Sequence, residues 1–389
     1  MAVGLRHIAA VMTFVSGVAT AFPKIGNEVS VDVRPSYVFS SFRDDVLRET
    51  LMMDDANTTH FSSSIHLKYG FTFSPDSKEG RFYPGVWQGL GAGVNIFGNS
   101  KGIGTPVSLY LFQGAPVWRI SDRLSLFYEW NFGLSVGWKP CDGVTAQSNL
   151  IVGSRMNAYI NLGAGLRWKM AEGYFLTAGL DLTHFSDGNT SYPNPGVNLA
   201  GVRVGVTHTF GERRTLPPIQ RNDSVERGKF GVDVTAYCAW RKRVYRGGEE
   251  PVLLRGHFMV AGLDITPMWN LSRLFRVGPS LDVQWDESTD LKRNYAEGSG
   301  TDDIYFYRPD PFRQICWGLS ARGELVMPLF SVNLGIGYNI FGPPESKATY
   351  QMANLKIRIL KGLYVNIGYQ LLDFEKQNNL MLGLGYSFR

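Results

Sequence analysis

His184 and Ser186 stand two residues apart at the end of a segment in which large apolar residues alternate with smaller or polar ones. On an extended strand an i, i+2 pair shares one face, with roughly 6 to 7 Å between the two backbones. That spacing allows a hydrogen bond between a serine hydroxyl and an imidazole, which is the arrangement of an activated serine nucleophile. We therefore take Ser186 as the candidate nucleophile and His184 as its candidate base.

The alternation also predicts which way the pair points. The pair has the same even-numbered parity as the apolar residues that precede it on the segment, which are Leu176, Ala178, Leu180 and Leu182. His184 follows an aromatic residue, Tyr174, by about ten residues, close to the 9 to 11 that a tilted strand needs to cross the hydrocarbon. We expect the pair to face lipid near the outer interface, where a polar outward group costs only about 0 to 1 kcal/mol.

Asn198 is the candidate third member of the site. It opens the next alternating segment and shares parity with the apolar residues that follow it, so on a returning strand it can lie beside His184. An amide oxygen can accept the Nδ1–H of an imidazole, which leaves Nε2 to take the serine proton.

The elements that must position these residues are predicted to be strands. Alternation with period 2 recurs about every 15 to 20 residues, as expected for strands with one lipid-facing side. The last segment has the pattern most plainly, with large residues on one face and small ones on the other: Leu380, Leu382, Leu384, Tyr386 and Phe388 against Met381, Gly383, Gly385 and Ser387. The sequence predicts an all-β protein that forms a narrow transmembrane antiparallel β-barrel.

Two segments, a predicted signal and a predicted linker, divide the chain. Residues 1–21 combine basic residues, an apolar run and the small residues Ala19-Thr20-Ala21, which predicts a removed secretory signal. The charged, proline-containing stretch Glu212 to Gly228 predicts a linker between residues 22–211 and residues 229–389. Each half has room for about eight strands, so we favour two tandem eight-stranded barrels, with one barrel of about sixteen strands as the alternative.

Composition narrows the class of protein. Charged residues are 19% of the chain and the formal net charge is +5, which gives no reason to expect a nucleic-acid partner. No apolar stretch of roughly 18 residues follows the predicted signal, so we expect no transmembrane helix. Three cysteines, an odd number in a long chain, argue against a disulfide framework. An exported β protein of the outer membrane fits these observations best.

The segment HFSDGNTSYPNPGVN, from His184 to Asn198, resembles the His-x-Ser-Asn…Pro-Asn-x-Gly signature of the PagL-type lipid A 3-O-deacylases, also called acyloxyacyl hydrolase-like proteins. The resemblance is close over about fifteen residues and looser over the first half, with nothing comparable in the second. It implies an eight-stranded barrel in the outer membrane of a Gram-negative bacterium, with lipid A of lipopolysaccharide as its partner. It implies neither a cofactor nor a metal.

The resemblance also assigns roles to residues. Ser186 would attack an ester-linked acyl chain and His184 would act as the base. The family's orienting glutamate falls on Asn198, and the family's asparagine after the serine, which is linked to oxyanion stabilisation, is Asp187 here. Because a carboxylate cannot donate to an oxyanion, the backbone N–H groups of Gly188 or Asn189 would have to serve.

Two other hypotheses remain open from the sequence. The chain could be a non-enzymatic barrel, either a structural or adhesive protein or, if the halves formed one large barrel, a pore.

A second Thr-His-Phe-Ser stretch, Thr59 to Ser62, has the same sequence as Thr183 to Ser186. Its parity, however, predicts that the His60 and Ser62 side chains face the lumen.

Overall fold

A computed structural model describes most of the chain, as two compact units that are each treated separately below. The described residues are 24–39, 60–74, 77–98, 100–140, 152–191, 196–211, 228–245, 252–254, 256–290, 295–296, 305–306, 309–374 and 376–389. The predicted signal, most of the predicted linker and Cys141 lie outside them. Within these ranges, no helix is both long and apolar enough to cross a bilayer.

The first unit is a closed antiparallel barrel in which each strand pairs with the next and the eighth returns to the first. Its strands are β1 (Lys24–Phe39), β2 (Phe61–Phe73), β3 (Trp87–Phe97), β4 (Gly104–Arg119), β5 (Leu124–Trp138), β6 (Met156–Ala171), β7 (Tyr174–Ser186) and β8 (Val197–Phe210). Two short helices, α1 (Lys78–Phe82) and α2 (Ser100–Ile103), lie in its connections. Closure leaves no strand edge unpaired, as a membrane barrel requires.

The outer surface of this barrel is apolar because alternate residues of every strand point outward. Val31, Leu67, Leu109, Leu162 and Leu180 are all large exposed hydrophobics. Leu180, at the centre of β7, has 69% of its surface exposed. In water such a surface would be unfavourable, whereas against lipid it is the expected outward band.

The lumen of the first barrel is filled by a buried network of charges. Arg203 contacts Glu129 and Asp181 at 2.7 Å each, and Lys68 contacts Asp32 at 2.8 Å and Glu129 at 3.0 Å. Buried charges are tolerated where they are paired and hydrogen-bonded, and here each of these cations has a carboxylate partner. The network joins strands that are distant in sequence and leaves the middle of the lumen filled by side chains.

Aromatic residues close the lumen at the end where β7 stops. Phe185 packs against Trp138 with ring centroids 5.0 Å apart and against Tyr159 at 5.4 Å. These three rings belong to one buried apolar cluster. Three of the connections at this end are long, joining Phe39 to Phe61, Trp138 to Met156 and Ser186 to Val197. At the opposite end two connections are tight turns, after Arg119 and Ala171, and the third joins Phe73 to Trp87 through α1. Long loops are typical of the extracellular side of such barrels and short turns of the periplasmic side.

The second unit is another closed barrel of eight antiparallel strands. Its strands are β9 (Phe230–Arg241), β12 (Phe258–Asn270), β13 (Phe275–Asp286), β16 (Ile315–Val326), β17 (Phe330–Phe341), β18 (Thr349–Arg358), β19 (Leu363–Leu372) and β20 (Lys376–Phe388). Two hairpins stand outside it, β10 (Val244–Tyr245) with β11 (Val252–Leu253), and β14 (Tyr295–Ala296) with β15 (Tyr305–Phe306). Two 3₁₀ turns span Pro311–Gln314 and Pro344–Ser346.

The lumen of the second barrel also contains a buried network of paired charges, formed by different residues. Lys356 contacts Asp233 at 2.8 Å and Glu324 at 2.7 Å, and Arg276 contacts the same two carboxylates at 3.1 Å each. Outward residues of its strands, such as Leu319, are again large and exposed. The prediction of two tandem eight-stranded barrels is confirmed, and the alternative of one barrel with about sixteen strands is wrong because β8 closes onto β1 and β20 onto β9.

Candidate active site

The inner face of β7 fixes the direction of the candidate pair. Asp181 lies in the lumen, where it accepts from Arg203 Nε at 3.0 Å. Phe185 is 1% exposed within the aromatic cluster. Because side chains alternate along a strand, anchoring these residues inward turns His184 and Ser186 outward, on the same side as Leu180 and Leu182.

His184 and Asn198 are a directly opposed pair of β7 and β8. The Nδ1 atom of His184 lies 2.7 Å from the Oδ1 atom of Asn198. Since an amide oxygen can only accept, Nδ1 carries the shared proton and a neutral imidazole then has its lone pair on Nε2. The imidazole is therefore oriented, with its basic nitrogen left for another group.

Gly196 supports the imidazole from the loop before β8. Its φ of +78° lies in the left-handed region that favours glycine. A Cβ atom at this position would meet His184 Cε1 at 2.9 Å and Phe185 O at 3.0 Å. Only glycine allows the loop backbone to pass this close to the ring, so the loop and the imidazole are packed together.

Ser186 is the last residue of β7, opposite Ala158 of β6. It is half-buried, as is His184. In the described part of the chain, no hydrogen bond joins the His184 imidazole to the Ser186 hydroxyl. Such bonds are often long before a substrate binds, so the geometry is that of two neighbouring groups on one face.

The three residues after Ser186 begin the loop. Asp187 is 5% exposed. Gly188 and Asn189 both have positive φ, at +66° and +69°. Consecutive left-handed residues turn the chain sharply beyond the strand.

In the repeated Thr-His-Phe-Ser stretch, the serine has the opposite orientation. Ser62 is 1% exposed on the lumen side of β2, and Phe61 is outward and exposed, as the parity predicts. The lumen position predicted for His60 is not confirmed, because His60 stacks on Tyr37, which is itself outward and 56% exposed, with ring centroids 5.3 Å apart.

Two family models match this chain. Residues 121–207, which include every candidate site residue, match the family described as Lipid A 3-O-deacylase (PagL). Residues 231–389 match the family described as Acyloxyacyl hydrolase, C-terminal domain. Each of these two models covers less than half of the chain. The chain is an outer-membrane β-barrel protein of a Gram-negative bacterium, and the expected resemblance to the lipid A deacylase family is confirmed.

Three of the solved structures that this chain is similar to each match less than half of it. Neisserial surface protein A (NspA) is 10% identical over 47% of this chain and 97% of its own, with a TM-score of 0.32. The outer membrane enzyme PagL is 16% identical over 45% of this chain and 97% of its own, with a TM-score of 0.30. Ail, the attachment invasion locus protein of Yersinia pestis, is 15% identical over 48% and 99%, with a TM-score of 0.27. No curated protein matches the chain.

Two features of this chain were missed by sequence reasoning. Gly196 lies so close to the imidazole that a Cβ atom there would clash with the ring, and the signal for it is the glycine that ends Pro193-Asn194-Pro195-Gly196. The family relationship of the second barrel was also missed, because that half carries no local His-x-Ser motif.

Proposed function

We propose that the first barrel hydrolyses an ester-linked acyl chain of lipid A, with Ser186 as nucleophile, His184 as base and Asn198 as the residue that orients the base. The observation that supports this most is the 2.7 Å contact between His184 Nδ1 and Asn198 Oδ1 on an outward, apolar face. An imidazole held in one tautomer beside a serine is the core of a serine hydrolase site.

The proposed reaction has two steps. His184 Nε2 takes the proton of Ser186 as Oγ attacks the ester carbonyl, and the imidazolium then returns that proton to the departing sugar oxygen. A water molecule, deprotonated in turn by His184, then attacks the acyl-serine; its bond to Oγ breaks, the imidazolium returns the proton to Ser186 Oγ, and the fatty acid is released. No cofactor is needed for this chemistry.

The developing oxyanion needs a hydrogen-bond donor. Asp187 cannot supply one from an ionised side chain, so we assign this role to the backbone N–H groups of Gly188 and Asn189. Their place directly after the nucleophile in the chain supports the assignment, because backbone N–H groups are donors that can stabilise an oxyanion.

The surroundings of the pair suit a lipid ester. Ile160 and Asn198 flank His184 on the neighbouring strands, and Leu182 and Leu180 continue the outward row away from the loops. An acyl chain in the outer leaflet could lie along this row while the sugar remains at the level of the loops. This arrangement favours a membrane glycolipid over a water-soluble ester.

The test is mass spectrometry of lipid A from Gram-negative cells that express the full-length chain, the Ser186→Ala variant or the Ser62→Ala variant. Ser62 is the matched control, because it stands in the same Thr-His-Phe-Ser sequence on the lumen face. We expect the wild type and S62A to remove one acyl chain and S186A to remove none, with equal amounts of each barrel in the membrane. Unchanged lipid A in cells with folded wild-type protein would overturn the proposal in favour of a structural or adhesive barrel.

The pore hypothesis required one large barrel, whereas the chain forms two separate eight-stranded barrels. Within the described residues, the first lumen is crossed by the Arg203, Glu129 and Asp181 contacts and closed by the Phe185 cluster. Planar bilayer recordings should accordingly show no stable single-channel conductance.

A further inference from the structure

The strand register places a row of basic side chains inside the first barrel, at the periplasmic end opposite to the candidate active site. Arg119 of β4 is directly opposite Ser125 of β5, which is directly opposite Arg167 of β6. Ser125 has the parity of Phe127 and Glu129, which are buried in the lumen. Because directly opposed residues of antiparallel strands point to the same side of the sheet, Arg119 and Arg167 also face the lumen.

A second row lies two residues further toward the periplasm. The backbone N–H of Lys169 donates to the carbonyl oxygen of Arg123 at 2.7 Å, and Lys169 is directly opposite Phe175 of β7. Phe175 has the parity of Thr177, which is buried. The two rows together bring four cations to neighbouring positions on the lumen face: Arg119, Arg123, Arg167 and Lys169.

The two rows line a cavity of about 390 Å³, together with residues of the β4–β5 turn: Ser121, Asp122 and Leu124. The Arg167 guanidinium lies over the rings of Trp87 at 4.7 Å and Phe175 at 4.5 Å, and it contacts Glu28 at 2.8 Å. These contacts fix one cation of the wall in place. Since the charge network fills the middle of the lumen, the cavity is reached from the periplasm.

Two of the four cations lack a carboxylate partner. Lys169 contacts Glu172 at 3.0 Å, whereas Arg119 and Arg123 form no ion pair with any residue that the structure describes, and both are exposed. Ser121 Oγ accepts from the backbone N–H of Arg123 at 3.3 Å, which stabilises the turn between the two arginines. Like charges on neighbouring positions of a sheet repel each other, so an anion in the cavity would stabilise this end of the barrel.

We infer that this cavity binds a soluble phosphate monoester from the periplasm. The phosphate group would lie between Arg119 and Arg123, because a guanidinium donates in a fork geometry that matches phosphate. Two unpaired guanidinium groups also match the charge of a phosphate monoester, about −1.5 to −2 at pH 7. A volume of 390 Å³ is in the range of small-molecule sites, roughly 300 to 1,000 Å³, so the organic group fits beside Phe175.

A phospholipid does not fit this cavity. Its acyl chains need the lipid-facing row, where Trp118 lies opposite Leu126, and neither of these residues lines the cavity. The cavity is also separate from the proposed ester-hydrolysing site and independent of it, because Phe175 is near the start of β7 and Ser186 is its last residue.

The experiment is isothermal titration calorimetry of the full-length chain in a neutral detergent, with phenyl phosphate as the probe and benzyl alcohol as the uncharged control. A lost hydrogen bond to a charged group weakens affinity about tenfold or more, so Arg119→Gln/Arg123→Gln should weaken phenyl phosphate binding about a hundredfold. Asp122→Asn, which removes a negative charge from the cavity lining, should tighten it. Benzyl alcohol should not bind measurably.

The matched charge control is Lys101→Gln/Arg155→Gln, which removes two exposed cations at the opposite end of the barrel. These residues are much further away than the Debye length of about 10 Å at 0.1 M salt, so binding should stay within about twofold of the wild type. Equal phenyl phosphate affinity in the wild type and R119Q/R123Q would overturn the inference.

Two competitors test the chemical class of the ligand. Benzoate, which has a similar ring and a single negative charge, should bind at least tenfold more weakly than phenyl phosphate, because it makes fewer charge-assisted hydrogen bonds. Equal affinity for benzoate would overturn the assignment to phosphate. Displacement of phenyl phosphate by equimolar short-chain phosphatidylglycerol would overturn the assignment to a soluble ligand.

Discussion

His184 Nδ1 lies 2.7 Å from Asn198 Oδ1, so the candidate base is oriented by a neutral amide. An amide fixes the tautomer of the imidazole, but it does not stabilise the positive charge that the ring gains when it takes the serine proton. The proposed site therefore combines correct orientation with weak electrostatic support.

Asn198→Asp should increase the rate of lipid A deacylation, because a carboxylate of nearly the same shape accepts from Nδ1–H and also stabilises the imidazolium. We expect a gain in kcat of about tenfold or more. Asn198→Leu, which keeps the volume and removes the acceptor, should lower kcat by a similar factor. The measurement is the initial rate of fatty-acid release from purified lipid A in detergent. A rate in N198L equal to the wild-type rate would remove Asn198 from the proposed mechanism.

Gly196→Ala should reduce deacylation while the barrel remains folded. The new Cβ would meet His184 Cε1 at 2.9 Å, so the ring or the loop has to move, and a displacement of about 1 Å can cost roughly a hundredfold in rate. The matched control is Gly228→Ala, which has nearly the same backbone strain, with φ of +80°, and no atom within 4 Å of its new Cβ. Equal rates in the two variants would show that contact with the imidazole is unimportant.

The parts of this site that sequence reasoning predicted are those set by strand parity. The outward direction of His184 and Ser186 follows from Leu180 and Leu182, and the closeness of Asn198 follows from a return strand of the same parity. The face on which a strand residue lies follows from the alternation of its near neighbours, so it can be predicted from a single sequence. The opposite orientation of Ser62 was predicted for the same reason.

The contacts that sequence reasoning missed are those set by closure of the barrel and by backbone conformation. Nothing in the local pattern relates Arg203 to Glu129, which are separated by several strands and meet only because the sheet closes. The approach of Gly196 to the imidazole depends on a left-handed loop residue whose position cannot be obtained from alternation. Long-range pairing and loop geometry therefore required the structure.

Leu180→Arg tests the membrane position of β7. Leu180 is outward at the middle of the strand, where a lipid-facing arginine costs about 2 to 4 kcal/mol of unfolding free energy. The control is Met156→Arg, also outward and exposed, at the start of β6 and at the barrel end where β7 stops; there the cost should be about 0 to 1 kcal/mol. Unfolding by urea in phospholipid vesicles, followed by tryptophan fluorescence, gives both values. Equal destabilisation would contradict the predicted depth and with it the interfacial location of His184.

Arg203→Met tests the charge network that fixes the inner face of β7. The guanidinium contacts Glu129 and Asp181 at 2.7 Å each and is 1% exposed, so its removal leaves two buried carboxylates short of a partner. Loss of one partner from a buried ion pair costs about 3 to 5 kcal/mol, and we expect an unfolding free energy lower by that amount. The adjacent Val204→Ala, on the lipid face, should change it by less than about 1 kcal/mol, because little packing is lost there.

A double variant separates a charge effect from a simple loss of volume. Arg203→Met/Asp181→Asn removes one of the unpaired carboxylates, so it should be more stable than Arg203→Met alone, although Asp181→Asn by itself should be destabilising. Interaction energies of about 0.5 to 3 kcal/mol are typical of residues in one network. If the two substitutions were instead additive, Asp181 would not depend on Arg203. The inward anchoring of β7, which turns His184 and Ser186 toward the lipid, would then rest on Phe185 and the aromatic cluster.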